Sequence, residues 1–138
     1  APILSFTTEE IYKLLVKDQK SIHLEKFLEI PQKFKNEIIN KKWIELIKIR
    51  DICNISIEEK RSSKELGSSL EADLKIQLNK NLKEFTDNID FSEICITSKA
   101  KVDYKDDIET TAITSKAKGT KCSVCWKINE ESCPRHPI

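Results

Sequence analysis

Apolar and polar residues change their rhythm twice along the chain. Near the start, Thr8, Glu9 and Glu10 precede Ile11, Leu14 and Leu15, the pattern of a helix opened by an N-cap hydroxyl and an acidic first turn. From Gln32 to about Leu66 the apolar positions Phe34, Ile38, Trp43, Leu46, Ile47, Ile49 and Ile52 recur at helical spacing, which predicts one long helix bent near Asn54 to Ser56 and stopped by Gly67. "SSLEADLKIQL" then alternates, placing Leu70, Ala72, Leu74, Ile76 and Leu78 on one side of a half-buried strand. "NKNLKEFTDNI" predicts a short helix turning Leu82 and Phe85 inward, and "SEICITSKAKV" alternates again. The fold class is therefore α+β, helical first and mixed afterwards.

The segment "ITSKAK" occurs twice, at Ile96 to Lys101 and at Ile113 to Lys118. Two copies of so short a unit do not make a solenoid, and shared strand demands account for the repetition. If both copies were strands of one sheet, Lys99, Lys101, Lys116 and Lys118 would share a face open to an anionic partner.

Composition narrows the function classes. At 138 residues the chain suffices for one ordinary domain, or a small domain with attachments, and not for a large catalytic core. Its net charge of +1 excludes attachment to nucleic acid through bulk charge, so any anionic partner must be met by a local patch. No apolar run approaches membrane-spanning length and no signal segment opens the chain, which predicts a soluble, cytoplasmic protein with no membrane partner. The absence of methionine and the helix signal at the start suggest a piece of a longer protein.

The chemistry is concentrated at the end, in "KCSVCWKINEESCPRHPI". Cys122 and Cys125 form a C-x2-C turn, and after seven intervening residues Cys133 and His136 form a second turn of the same spacing. Two such turns supply four corners of a tetrahedron, and the Cys3His set predicts one structural zinc ion. An odd number of cysteines and a histidine at the fourth corner argue against a disulfide framework. Four ligands also close the site against catalysis, and a redox switch on Cys122 and Cys125 is the minor alternative. Cys53 and Cys95 sit on apolar faces as small core residues, and His23 reads as packed or surface-exposed.

Around this knuckle, Lys116, Lys118, Lys121, Lys127 and Arg135 face only Glu130 and Glu131 between Ser115 and Ile138. Trp126 is either a lid on the metal loop or a platform on which an unpaired base stacks. A second basic surplus, Lys33, Lys35, Lys41, Lys42, Lys48 and Arg50 against Glu37 and Glu45, needs no function beyond solvating a helix. The rival to RNA binding is a protein-docking module built on the zinc knuckle and the amphipathic helix.

In order along the chain, "APILSFTTEEIYKLL", "SIHL", the helix with Trp43 and Arg50, "IEEKRSSKELGSSLEADL" and the closing "KCSVCW" resemble the C-terminal end of bacterial-type isoleucyl-tRNA synthetases. The stretch Arg61 to Ala72 fits the signature R-x-x-K-x-(I/L)-G-x-S-L-E-A, which related synthetases share in looser form. The resemblance implies that residues 1–67 end a helical anticodon-binding domain, that 68–118 form a small α+β junction and that 119–138 form the zinc-binding knuckle. It implies tRNA(Ile) and the remaining domains of a monomeric class I ligase as partners. ATP would be used in a catalytic domain whose "HIGH" and "KMSKS" motifs do not occur here. Metal ligation is implied for Cys122, Cys125 and Cys133, and a place beside the anticodon for Trp126. The sequence departs from the family in having His136 where a cysteine is expected, Val124 where a basic residue often stands, and a shorter knuckle.

Overall fold

The computed structural model describes residues 3–17, 20–27 and 29–136. The chain divides into two compact units, Ala1–Asn36 and Glu37–Ile138.

In the first unit, α1 spans Ser5–Leu15. Thr8 does not cap it, because the helix starts a turn earlier behind a left-handed Leu4 and Thr8 Oγ1 donates back to the Leu4 and Ser5 carbonyls at 3.0 and 3.1 Å. The useful side chain is Glu9, whose carboxylate accepts from Ser21 Oγ at 2.9 Å and Ile22 N at 3.0 Å and so ties α1 to the 3-10 turn Ile22–Leu24. His23 lies exposed on that turn. A second 3-10 turn, Gln32–Phe34, holds the residues expected to begin the long helix, because Pro31 opens a tight turn there instead.

The second unit starts with α2, Glu37–Ser62. Leu46, Ile49, Cys53 and Ile57 form its buried stripe, whereas Trp43 and Ile47 lie on its flank, 53% and 38% exposed. The helix runs unbroken through Asn54 to Ser56. The polar Ser56 faces the sheet, where its hydroxyl meets Thr114 Oγ1 at 2.8 Å. Gly67 does not end α2. The stop comes at Lys64, in the left-handed region at φ 60, with Lys64 N donating to Arg61 O and Glu65 N to Lys60 O, the paired bonds of a Schellman cap.

The sheet has the order β2-β1-β3, with β1 (Ala72–Asn79) between β2 (Lys99–Lys105), which is parallel to it, and β3 (Thr111–Lys116), which is antiparallel. Alternation in β1 works as expected: Ala72, Leu74, Ile76 and Leu78 have no accessible surface and meet the α2 stripe, Phe91 and Cys95 in one core. The link from β1 to β2 carries α3 (Lys83–Thr86) and α4 (Phe91–Ile94). In α3 it is Thr86 that is buried, while Leu82 and Phe85 are half-buried. α4 replaces the expected start of a strand, since Asp90 accepts from Ser92 N at 2.8 Å and Phe91 and Cys95, four apart, both turn inward. The link from β2 to β3 passes the end of β1, held by Asn79 Nδ2 on Ile108 O at 3.3 Å and by a Lys80–Asp106 ion pair at 2.6 Å.

The repeated segment does not bring all four of its lysines to one face. In the first copy Ile96 is left-handed at φ 54, Thr97 is buried and the strand begins only at Lys99. Lys99 and Lys101 pair with Asp73 and Lys75, the polar side of β1, whereas Lys116 pairs with the buried Ala72. Packing of Thr114 against α2 sets the facing of the second copy, and packing of Ala100 and Val102 against the core sets that of the first. Among the described residues, no helix is long and apolar enough to cross a membrane.

Candidate metal centre

After β3 the chain forms a two-rung hairpin, β4 (Thr120–Lys121) against β5 (Ile128–Asn129), with the C-x2-C turn at its tip. Gly119 makes the hairpin possible: at φ 123 it passes so close to β5 that an added Cβ would sit 2.0 Å from the Asn129 carbonyl oxygen. Within the tip, Cys122 N donates to Lys127 O at 2.9 Å and Trp126 N donates to Cys122 O at 3.0 Å, and Trp126 takes a left-handed φ of 65 to complete the bend. The second turn closes by His136 N on Cys133 O at 3.1 Å.

These two turns bring the ligand atoms of Cys122, Cys125, Cys133 and His136 within 4.8 Å of one another. Cys125 Sγ lies 3.6 Å from Cys133 Sγ, and His136 Nδ1 lies 3.6 Å from both Cys122 Sγ and Cys133 Sγ. A tetrahedral zinc with ordinary bond lengths requires edges of about 3.8 Å between sulfurs and about 3.6 Å from sulfur to nitrogen. The donor set therefore fits a Cys3His zinc site, and the ion would act there as a structural cross-link. With three thiolates such a centre carries about one negative charge.

The local field favours thiolate at the first corner. Backbone N–H groups of Cys125 and Val124 point at Cys122 and pull its pKa down to about 6. His136 is pushed up by Cys133 and Cys122 beside it. All five cysteines are free, and Cys53 and Cys95 are buried in the core.

The predicted basic and aromatic residues fall into three groups. Trp126 is 58% exposed and is no lid on the metal loop, and Lys121 Nζ stands 5.9 Å from its ring centre, within cation–π range. Lys127 and Arg135 both reach back to Glu93 on α4, Arg135 at 2.8 Å. Lys118 and Lys101 lie near Glu130, which pairs with Lys99 at 2.5 Å, while Lys116 is exposed at the end of β3.

Pattern reading missed Glu93 and Ser98. Ser98 Oγ donates to Leu70 O and accepts from Ile128 N, joining the hairpin to the edge of the sheet. Both residues act across some thirty positions of sequence or more, and neither stands in a recognisable motif. Gly119 did leave a signal, being one of only two glycines and standing just before a cysteine turn.

The long helix feeding a small sheet, closed by a four-ligand knuckle, defines a small α+β module with a structural metal site. The family model described as "Anticodon-binding domain of tRNA ligase" matches residues 1–78, and the chain belongs to that family. It is 64% identical over 136 residues to the isoleucine–tRNA ligase of Pelagibacter ubique, 36% over 150 to that of Caldicellulosiruptor saccharolyticus and 35% over 127 to that of Zymomonas mobilis. These matches cover 99%, 98% and 92% of the chain, which spans 15%, 16% and 13% of those relatives.

Proposed function

We propose that this chain is the C-terminal part of an isoleucine–tRNA ligase, where it binds and positions the anticodon arm of tRNA(Ile) while other domains join isoleucine to the tRNA using ATP. Functionally, residues 1–67 complete the anticodon-binding helices, 68–118 form a junction and 119–138 form the zinc knuckle that meets RNA. Catalysis lies outside these residues, so the chain contributes orientation and selectivity. The remaining domains of the ligase and tRNA(Ile) are its partners. One copy carries the whole ligand set, so the reading needs no second copy, and free thiols at the metal corners suit the cytoplasm.

The observation that carries this reading is Trp126. It is an exposed indole on a left-handed corner, with a lysine ammonium over its ring, on a metal loop in a chain of this family. Single-stranded anticodon bases stack on such a surface while lysines neutralise the flanking phosphates. Lys121, Lys116 and Lys118 supply those charges, and Lys127 and Arg135 frame the loop from the Glu93 side. Protein docking is the competing role, favoured by the exposed Phe6, Leu14 and Leu15 on α1.

Binding of the zinc-loaded chain to an isoleucine anticodon stem-loop and a non-cognate one, at low and moderate salt, tests the proposal. Expected is a preference for the cognate loop that weakens with salt and is lost on chelation. Binding without preference, or indifferent to salt, rejects RNA reading in favour of docking.

A further inference from the structure

One carboxylate outside the metal centre grips both of its turns. Glu93 Oε1 takes Lys127 Nζ, two residues after the ligand Cys125, and Arg135 Nη2 at 2.8 Å, one residue before the ligand His136. The Lys127 side chain is only 15% exposed and Glu93 44%, so the contact is shielded from water on its lysine side. Glu93 itself stands on a firm base. Asp90 caps its turn through Ser92 N at 2.8 Å, and Arg50 of α2 donates from Nε to the next carbonyl, Ile94 O, at 3.1 Å. The two cations hold the Glu93 carboxyl below its ordinary pKa.

We infer that Glu93 is a positioning residue for the metal centre: by clamping Lys127 and Arg135 it braces the two ligand turns against each other and against α4, and so keeps zinc in place. The hairpin alone cannot do this. Its rungs and the Ser98 link hold β4 and β5, which carry the first turn, whereas the second turn follows β5 in a loop with no strand of its own. Arg135 is the ion pair through which that second turn reaches the α/β body among the described residues. Partners outside the ligand shell that orient ligands commonly change metal affinity 10- to 100-fold when removed. The inference rests on the metal centre and is independent of RNA binding.

The test uses the full chain loaded with zinc, with release followed against excess EDTA, and a cobalt(II) form whose absorption reports the ligand set. Glu93→Gln is expected to release metal about 10-fold faster or more while keeping the cobalt spectrum and the thermal transition of the α2 and β1 core. Raising salt should speed release from the parent chain toward the variant's rate and leave the variant nearly unchanged, as screening of an ion pair demands and a steric role does not. Glu130→Gln removes an equal charge from the same hairpin by breaking the Lys99 pair, and should release at the parental rate. A parental rate for Glu93→Gln, or equal acceleration by Glu130→Gln, overturns the inference.

Discussion

Trp126 shows how much one side chain depends on where its backbone is held. A left-handed φ is costly for a large residue, and here the bonds of the cysteine turn impose it. The ring is thereby turned outward beside Lys121 instead of folding over the ligands. Trp126→Ala is expected to weaken anticodon stem-loop binding by about 1 to 3 kcal/mol, the value of one lost base stack, without releasing zinc. Titration of stem-loop into the zinc-loaded variant measures this, and an affinity equal to the parent would place the RNA contact elsewhere. His136→Cys tests the ligand set at the same scale. It should retain one zinc per chain, because a fourth thiolate meets the same tetrahedral demand, and zinc analysis of the purified variant checks it.

Among the elements, the hairpin is the most sensitive. Gly119→Ala forces a Cβ onto a backbone carbonyl at a φ that L-residues avoid, so β4 and β5 must separate. We expect faster zinc release and lost protection of the Cys122 amide, which donates across the hairpin to Lys127 O, with amides of β1 still protected; hydrogen exchange reads both at once. In the first unit, α1 depends on Glu9. Partial desolvation pushes its carboxyl up, but bonds from Ser21, Lys13 and Ile22 outweigh this and leave it below the ordinary 4.5. A depressed carboxylate stabilises the folded form above its unfolded pKa, and that contribution disappears as pH falls through the folded value. Protection of the Ile22 amide should therefore fall below about pH 4.5, and Glu9→Gln should show the low-pH behaviour at neutral pH.

On the scale of the molecule, the core and the knuckle have separate sources of stability. The core rests on burial: four side chains of β1 and four of α2 meet with almost no accessible surface, and none of them touches the metal corners. The knuckle has two rungs and one well-buried apolar anchor, Ile128, too little to hold a loop without its ligands cross-linked. Zinc removal should consequently melt residues 119–136 and leave the thermal transition of the core nearly in place. Circular dichroism with and without chelator, alongside near-ultraviolet absorption of Trp126, would check this; a single joint transition would contradict it.

What the residues declare on their own is whatever depends on spacing. Alternation over Leu74, Ile76 and Leu78 marks a strand because side chains alternate faces, and paired C-x2-C and C-x2-H turns mark a metal site because zinc demands a tetrahedron. The helical stripe of α2 was equally legible, but helix ends were not: α1 starts behind a left-handed Leu4 and not at Thr8, and α2 stops at a left-handed Lys64 and not at Gly67, because caps are made by backbone conformation. Tertiary structure alone decided which face each strand presents. The two "ITSKAK" copies have the same local pattern, yet Ala100 of one and Thr114 of the other face inward, so Lys116 falls on the opposite face from Lys99 and Lys101. It also decided that Lys127 and Arg135 would meet Glu93. That partner lies more than thirty residues away in sequence, and only the closing of the sheet and the turn of α4 bring it within hydrogen-bonding distance.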